Sequence, residues 1–533
     1  MKRSLFLLAL LLPLLLPAQY QSVNATFPGE EFWEEPEYEI AEEVEYGMQT
    51  MVGTITVDGV TYSQVRLKPE ISFWKFGFGL DLDLLFDSHG RLRKEEWTHL
   101  DDLVRKIYYF RYANRRDPFY FKIGCIPGYT MGQGMIFDDY SNMLRYPNFK
   151  SIGGYFGLNT KLLGMGFEAY THDIQKNEIL GAKAFIKPLS VLNSPFWANF
   201  KLGINIGADR NQYGKYPDSD GDGYPDIYDK FPHDPDLWLD SDDDGIADEM
   251  DLDLNGNGSI DHPDLNPFVE ATFPGIAVNY PDYPFDTEVY PDRAEQYLTK
   301  RPVTIYSLDY ELPLTESDDF SLTNYAEFAI IKDHGNGLIF PGFGINYKNF
   351  DARLEIRNFS DEFLPAYFNN LYDEQRSQMI YSLPEEDNQS RTYSLNPKDS
   401  ILPQIGSTFG WFGSLRANFA NTVYLSLAFL DMYGSRNIAG KSFWWKLSAT
   451  PETIPRLQEI TLYYAQHNVP YVDFINLRNL NAHVAGRLVY QISEGTNLVG
   501  KYTEYYNDLN SDGRIKGRDE IIEVISVGIE FKF

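Results

Sequence analysis

The chain has 533 residues, a formal net charge of −31 at pH 7 and an aromatic content of 16%. Its length is compatible with several small domains or with one large all-β unit. So acidic a chain repels phosphates, which argues against a nucleic-acid-binding protein. The single cysteine, Cys125, excludes an internal disulfide framework.

The N-terminal residues 1–18 are typical of a secretory signal peptide. A basic start at Lys2 precedes a leucine-rich apolar run, and the small residue Ala18 comes before a polar stretch. The run is shorter than the ~20 residues that a membrane-spanning helix needs, and no second long apolar run follows it. We therefore expect an exported protein without transmembrane helices.

Nearly all of the net charge lies in two segments. Residues 30–45 contain nine acidic and no basic residues, within an expected acidic N-terminal segment, 19–47. Residues 212–299 contain twenty-three acidic and three basic residues, and we expect this range to be an insertion. The first segment is expected to be a solvated leader, with folding into a lumen as the alternative.

Alternating apolar and polar residues predict β-strands along most of the remaining chain. In 76–86 the even positions are apolar, whereas Gly77, Gly79, Asp81 and Asp83 share the other face. The ranges 199–206 and 351–357 alternate in the same way. Further strands are predicted at Phe119–Ile126, Leu163–Thr171, Ile179–Pro188, Thr304–Leu314, Phe343–Tyr347, Val423–Asp431, Phe443–Ser448, Leu457–Gln466, Ala482–Ile492 and Leu498–Tyr506. We expect roughly 16–20 strands.

A soluble β-sandwich would alternate similarly, but export and the positions of the aromatic residues favour a membrane barrel. Aromatic residues stand at predicted strand ends, as interfacial girdles require: Phe86, Tyr120, Tyr170, Trp197, Trp444, Trp445 and Tyr490. The expected fold class is therefore all-β: a transmembrane antiparallel β-barrel formed by 48–211 and 300–533, whose outer face contacts outer-membrane lipid.

Two segments resemble outer-membrane proteins. The ending IIEVISVGIEFKF resembles the C-terminal signal strand of Gram-negative outer-membrane barrels, which closes on a terminal Phe. The stretch Tyr120–Pro147 is similar to a porin-like family of uncharacterised outer-membrane proteins. Its glycines, Gly124, Gly128, Gly132 and Gly134, are interpreted as bends in the barrel wall.

Three acidic repeats in the insertion keep oxygen-bearing side chains at positions 1, 3, 5, 9 and 12 and glycine at position 6. Such spacing wraps oxygen ligands around Ca²⁺. The repeats, within about Tyr216–Pro267, resemble thrombospondin type 3 repeats without their cysteines. The predicted ligands are Asp218, Asp220, Asp222, Asp226, Asp229, then Asp240, Asp242, Asp244, Asp248, Asp251, then Asp253, Asn255, Asn257, Asp261 and Asp264. Calcium is expected to be structural there.

A fourth acidic loop lies near the end of the chain. It resembles an EF-hand or dockerin-type calcium loop, although Lys516 occupies position 9 and its flanks look like strands. A polar hairpin without metal is an equal alternative. The predicted ligands are Asp508, Asn510, Asp512 and Asp519.

The sequence has no catalytic constellation, since its eight histidines are scattered and the common zinc, serine-nucleophile and phosphate-loop motifs are missing. We expect no enzyme; a hydrolase assembled from distant loops is the minor alternative. The leading hypothesis is a porin-like channel for small solutes or ions. Its predicted pore-lining residues are Lys201, Arg353, Glu355, Arg357 and Arg487.

The second hypothesis is a calcium-dependent surface-binding or scaffold protein that its barrel anchors in the outer membrane. Its insertion would contact a surface protein or a polysaccharide. Because long connections of outer-membrane barrels are usually extracellular, the insertion is expected outside the cell in either case.

Overall fold

The computed structural model covers the barrel and part of its connections. The residues it describes are 41–57, 60–93, 97, 104–115, 117–126, 128–143, 151–215, 219–220, 226, 229–238, 240, 245–247, 301–317, 319–369, 372–382, 392–419, 422–434, 441–450, 454–469, 471–472, 477–478, 482–506, 515 and 521–532. The predicted signal peptide lies outside these residues, as does most of the acidic leader.

Strands make up most of the described chain. In the first half they are β1 (Ala41–Val57), β2 (Val60–Trp74), β3 (Phe76–Leu80), β4 (Leu82–Phe86), β5 (Ile107–Tyr112), β6 (Phe119–Gly124), β7 (Phe137–Asp138), β8 (Gly153–Asn159), β9 (Gly166–Thr171), β10 (Ile179–Ile186), β11 (Lys201–Asp209) and β12 (Val303–Glu316). β1 therefore begins inside the segment that was expected to be an acidic leader.

The second half continues with β13 (Phe320–Ile331), β14 (Asn336–Tyr347), β15 (Phe350–Phe359), β16 (Phe368–Asn369), β17 (Ser377–Ser382), β18 (Thr392–Pro397), β19 (Thr408–Phe419), β20 (Val423–Gly434), β21 (Lys441–Ala449), β22 (Leu457–Val469), β23 (Ala482–Ser493), β24 (Thr496–Tyr506) and β25 (Ile521–Lys532). The short helices are α1 (Pro195–Ala198) and α2 (Tyr372–Gln375), with 3-10 turns at Leu162–Gly164, Gln212–Lys215 and Lys398–Gln404. No helix in the described part of the chain is long and apolar enough to cross a membrane.

The wall strands pair antiparallel with their neighbours around a closed ring. β25 pairs with β1, with Ile529 opposite Val52, so the last strand meets the first. Among the described residues the main sheet has 21 strand segments. β3 and β4 both pair with β2, on either side of Asp81, so the ring has 20 positions. This number lies at the upper end of the predicted range.

Alternation along each wall strand separates an apolar outer face from a polar inner face. On β11, Ile204 is 63% exposed whereas its neighbour Asn205 is 1% exposed, because successive side chains point to opposite sides of a strand. The apolar even positions of β3 and β4 share the outer face with Ile71 of β2, opposite Phe78. The fold is an all-β transmembrane antiparallel β-barrel, as the sequence predicts.

Aromatic residues form a contact network on the outer face of β2, β3, β5 and β6. The rings of Phe76 and Tyr112 are 4.8 Å apart, and those of Phe110 and Phe121 are 5.4 Å apart. Three of the predicted girdle residues were assigned wrongly. Tyr120 and Tyr170 are buried in the interior core, and Trp444 packs against inward-facing Tyr463 and Ala485.

The longest connections share one end of the barrel, because strand direction alternates around the ring, whereas residues 187–200 connect β10 and β11 at the opposite end. The connections after β4, β6, β11, β15, β22 and β24 all start at this long-loop end. At the opposite, short-turn end, β14–β15 and β23–β24 are joined by two residues each. Lys348 and Gly495 have positive φ there, as two-residue hairpins require. The connection that contains the acidic insertion, between β11 and β12, belongs to the long-loop end.

Two long connections fold into the barrel. We call the described residues 125–126, 128–143 and 151–152, between β6 and β8, inner loop 1, and the described residues 360–369, 372–382 and 392–407, between β15 and β19, inner loop 2. Their fully buried side chains pack with inward side chains of β9, β10 and β12–β15 in one core: Ile126, Tyr129, Met131, Met135, Ile136, Phe137 and Tyr140 of inner loop 1, and Phe363, Tyr367, Phe368, Tyr372 and Leu402 of inner loop 2.

Inner loop 1 corrects the interpretation of the glycines. Gly124 ends the wall strand β6, but Gly128, Gly132 and Gly134 lie in inner loop 1 and are not bends in the wall. Gly132 and Gly134 have φ of 62° and 93°, a left-handed conformation that glycine adopts without strain. Cys125, at the start of this loop, is buried against Met143 and Tyr108.

Candidate pore and its inner loops

The two inner loops are joined to each other inside the barrel. β7 of inner loop 1 pairs in parallel with β16 of inner loop 2. The backbone N–H groups of Ala366 and Phe368 donate to the carbonyl oxygens of Met135 and Ile136, at 2.9 and 3.0 Å. The Tyr140 hydroxyl donates to Asp373 Oδ1 at 2.8 Å. Backbone pairing of this kind fixes the register of the loops.

Glu327 of β13 anchors inner loop 1 to the wall. Its Oε2 accepts the backbone N–H groups of Gln133 at 2.8 Å and of Met135 at 3.2 Å, and its Oε1 accepts the Ser307 hydroxyl at 2.6 Å. The carboxylate is fully buried. Because two backbone N–H groups of inner loop 1 converge on one side chain of β13, Glu327 holds the turn of the loop against the wall.

Lys201, a predicted pore-lining residue, lies beside this anchor. Its Nζ donates to Glu311 Oε2 at 2.7 Å, and the Gln133 side chain donates to Glu311 Oε1 at 3.1 Å. The residue faces inward, but its charge is neutralised by Glu311 at the foot of inner loop 1. That Lys201 lines a conducting path therefore stays a prediction.

Glycines in the wall make room for the inner loops. A Cβ atom added at Gly207 of β11 would lie 2.4 Å from Ile136 Cγ2 and 2.7 Å from the Phe137 ring. At Gly337 of β14 it would lie 2.3 Å from the Phe363 ring. Such distances are below van der Waals contact, so side chains at these wall positions would displace the loops.

Glu168 of β9 forms a second anchor. Arg115 pairs with Glu168, and the Tyr129 hydroxyl donates to Glu168 Oε1 at 3.1 Å. The Tyr129 ring stacks on the Tyr170 ring, with centroids 4.1 Å apart. Glu168 is itself buried at this anchor of inner loop 1.

The other predicted pore-lining residues also lie on the inner face. Glu355 accepts the Tyr325 hydroxyl at 2.6 Å and pairs with Arg357 at 2.6 Å. Arg487 pairs with Glu459 at 3.0 Å. Arg353 lies on the inner face of β15 together with Glu355 and Arg357, and its side chain is exposed. The structure thus brings three of them together on β15, while Lys201 and Arg487 lie on distant strands.

Two adjacent carboxyl groups, Asp138 and Asp139, form what we call the tip of inner loop 1. Both lie within the electrostatic influence of basic residues on the barrel wall. Asp138 is exposed, although the fully buried Phe137 precedes it. The surrounding protein raises the pKa of the Asp138 carboxyl, and the charges of Arg357 and Arg353 offset part of that rise. Enclosure likewise raises the pKa of the Asp139 carboxyl, against the charges of Lys446 and Arg416. Acidic and basic groups thus face each other inside the barrel.

No protein-family model matches the chain, and neither does any curated protein. Among solved structures, OpdQ of Pseudomonas aeruginosa aligns with a TM-score of 0.28 and 9% identity, over 92% of this chain and 96% of that one. OprD of the same organism aligns with a TM-score of 0.29 and 6% identity, over 93% and 97%. The siderophore receptor PirA of Acinetobacter baumannii aligns with a TM-score of 0.33 and 8% identity, over 93% and 81%. Similarity at these TM-scores supports no conclusion about function. The assignment of the fold as a barrel rests on the strand pairing.

Four of the predicted calcium ligands lie among the described residues: Asp220, Asp226, Asp229 and Asp240. Asp226 accepts the backbone N–H and the hydroxyl of Ser219, both at 2.7 Å. Asp240, at position 1 of its repeat, accepts the N–H of Gly245 at 2.9 Å. Gly245 has a φ of 90°, the sharp turn that a glycine at position 6 provides.

The other predicted ligands lie outside the described residues: Asp218, Asp222, Asp242, Asp244, Asp248, Asp251, Asp253, Asn255, Asn257, Asp261, Asp264, Asp508, Asn510, Asp512 and Asp519. In the described part of the chain, no group of three or more His, Cys, Asp or Glu side chains is placed to hold a metal ion. Calcium binding stays a prediction.

The alternation of apolar and polar residues indicated neither the inner loops nor the wall carboxylates that contact inner loop 1, Glu327 and Glu311. A signal was present in Met131–Tyr140, where apolar residues cluster at Met135, Ile136 and Phe137 without the alternation of a wall strand. A run of this kind between two strands needs an apolar environment on all sides, which the outer face of a wall strand does not provide.

Proposed function

We propose that the protein is a porin-like channel of the outer membrane for small solutes or ions. The observation that supports this proposal best is the size of the barrel. Its 20 wall positions close a ring, and a ring of this size encloses an aqueous interior. The exposed side chains of Asp138 and Arg353 within the barrel support a water-filled passage beside the inner loops. Opposed charges at the tip of inner loop 1 support selection among ions there.

Single-channel recording tests the channel directly. The mature protein is refolded in detergent, its folding is established by the heat-dependent mobility of the barrel on a gel, and it is added to a planar bilayer. We expect stable conductance steps. A folded barrel that gives no steps over a wide voltage range would rule the channel out.

The location of the insertion is part of the same proposal. The apolar outer face suits lipid contact on the membrane-embedded strands, and the long-loop end would lie outside the cell because the opposite end has the short turns. Adding a protease to intact cells tests this orientation. Cleavage within 216–299 supports it, and cleavage only after the outer membrane is permeabilised contradicts it.

We further propose that the acidic insertion binds Ca²⁺ through its repeats. The repeated ligand spacing and the turn at Gly245 support this. Titration calorimetry of the folded protein with Ca²⁺ should give several sites, and fewer in a variant in which Asp240, Asp242 and Asp244 are replaced by Ala, which removes the ligand oxygens. Equal heats from both proteins would contradict the assignment of that repeat.

A surface-binding or scaffold role is the second candidate. The position of the insertion at the long-loop end favours it, because the insertion would be accessible to another protein or to a polysaccharide. Deleting 216–299 distinguishes the two roles. A channel still conducts after the deletion, whereas a scaffold loses attachment of its partner to the cell surface.

A further inference from the structure

A groove lies on the outer face of the barrel, at the long-loop end. We call it the outer groove; its volume is about 380 Å³. Asn358, Phe409 and Tyr433 lie opposite one another on the neighbouring strands β15, β19 and β20, and Phe409 and Tyr433 are 57% and 59% exposed. The residues that line the groove are Asn358, Ser407, Thr408, Phe409, Tyr433 and Gly434. Two aromatic rings, an amide and two hydroxyl groups are thus brought together there.

An ion pair lies beside the outer groove, one row further into the wall. Asp431 of β20 lies opposite Lys441 of β21 and pairs with it. The Tyr433 hydroxyl donates to Asp431 Oδ2 at 2.6 Å, and Lys441 Nζ lies 4.5 Å from the centre of the Tyr433 ring. Charged groups on the lipid-facing side of a barrel are unfavourable at the bilayer midplane and tolerated near the interfaces. The pair therefore marks the level of the lipid headgroups.

The surface below this row is apolar. The Trp411 ring lies over Gly413, where an added Cβ atom would be 3.1 Å from Trp411 Cζ3. The rings of Trp411 and Phe429 are 5.4 Å apart, and Phe443 extends the series at 6.4 Å from Phe429. Leu354, opposite Gly413, is exposed on the same side. The outer groove thus opens directly onto the part of the wall that contacts lipid chains.

The chemistry of the outer groove matches a sugar. Amide, hydroxyl and carboxylate groups exchange hydrogen bonds with sugar hydroxyls, and the C–H faces of a sugar ring pack on exposed aromatic rings. Asp431 and Lys441 neutralise each other, so the groove offers no net charge that would favour a phosphate. The adjoining apolar surface fits acyl chains. A ligand that satisfies both parts has a sugar headgroup on a lipid.

We propose that the outer groove binds the headgroup of a glycolipid in the outer leaflet, whose acyl chains lie along Trp411 and Phe429. The inference rests on the proposed orientation of the barrel, with the long-loop end outside the cell. It does not depend on conductance, so lipid binding tests it separately from the channel function.

Two substitutions in the outer groove should weaken this binding. Tyr433→Leu removes the aromatic face and the hydroxyl but keeps an apolar side chain, and Asn358→Leu removes the amide. Both side chains are exposed, so the barrel should fold, which the heat-dependent mobility on a gel verifies. Tyr347→Leu is the matched control, because it removes an exposed outer-face tyrosine at the short-turn end.

The experiment is native mass spectrometry of the full-length mature protein, folded in detergent and incubated with equal amounts of galactosyl diacylglycerol and phosphatidylglycerol. The two lipids carry the same acyl chains, so a preference reports on the headgroup. The wild type and Tyr347→Leu should retain the galactolipid about tenfold better, a ratio that one or two additional hydrogen bonds explain. In Tyr433→Leu and Asn358→Leu the preference should fall by about threefold or more.

Equal retention of the two lipids by the wild type overturns the inference, and so does a preference for phosphatidylglycerol, which would indicate a phosphate site. An equal loss in Tyr347→Leu also overturns it, because any tyrosine on the outer face would then serve. Dissolved methyl galactoside is added as a competitor. If it displaces the galactolipid at equal concentration, the acyl chains contribute nothing and the ligand is a free saccharide. If Tyr433→Leu does not fold, Asn358→Leu decides alone. A folded protein that binds the galactolipid but does not conduct overturns the channel function only.

Discussion

The ring of Phe137 stacks on the ring of Phe368, with centroids 4.6 Å apart and planes inclined by 19°. The two residues come from different connections of the barrel, and their segments also pair through the backbone. This contact joins the two inner loops into one body inside the lumen.

Phe137→Ala should loosen this body. Truncating a buried Phe costs about 3–5 kcal/mol. It removes the ring contact with Phe368 of inner loop 2 and those with Tyr129, Tyr140 and Tyr170. We expect a larger or noisier single-channel conductance. Phe409→Ala, which removes an exposed ring of β19 on the outer face, should leave the conductance unchanged. If both variants conduct like the wild type, the inner loops do not limit the passage.

Gly207→Ala should push the inner loops off the wall. The new methyl group would lie 2.4 Å from Ile136 Cγ2, and overpacking of this kind costs about 1–3 kcal/mol. We expect a lower melting temperature in detergent. Gly500→Ala, where no heavy atom lies within 4 Å of the added Cβ, is the matched control and should melt like the wild type. Equal melting of both variants would mean that the loops yield freely.

The charges at the tip of inner loop 1 should set ion preference. Asp138→Asn removes a negative charge from the lumen, so reversal potentials in a salt gradient should move toward anion preference. Arg353→Gln should move them the opposite way. Glu494→Gln, in a turn at the short-turn end, serves as the control. Shifts of the same sign for the first two variants would contradict this placement of the charges.

Stability should depend on the charge of Lys398. Its Nζ donates to the Tyr367 carbonyl at 2.8 Å and to Gln375 Oε1 at 3.0 Å, and burial lowers the pKa of this ammonium group to about 7. The pKa of a lysine in an unfolded chain is about 10.4. Between these values the unfolded state binds more protons, so stability should rise with pH from about 7 to about 10. Below about pH 7 Lys398 is protonated in the folded and the unfolded state, so the full cost of burying its charge lowers the free energy of unfolding.

Melting curves of the wild type and Lys398→Met across this range test the effect. The variant should lose the part of the pH dependence that Lys398 contributes. Lys348→Met, which changes an exposed lysine in a hairpin turn, should keep the wild-type profile. Parallel profiles for all three proteins would show that Lys398 does not titrate in this window.

The sequence by itself determined the wall. Alternation in ranges such as 76–86 and 199–206 predicts strands with one apolar face, because successive side chains of a pleated strand point to opposite sides. The number of strands, the all-β class and the inward face of Lys201, Arg353, Glu355, Arg357 and Arg487 followed from this local rule. The rule acts within one strand, so no knowledge of distant partners was needed.

Only the tertiary structure decided what fills the lumen. Tyr120, Tyr170 and Trp444 stand at strand ends like girdle residues, but the side that each faces depends on the register of its strand with its neighbours. In the sequence, Gly207 and Gly337 only indicate residues that weaken a strand. The structure shows that the missing side chains leave space for Ile136 and Phe363. Inner loop 1 and inner loop 2 meet inside the closed ring. The sequence does not reveal their contacts, because these join residues that are far apart in the chain and follow no period that a single segment carries.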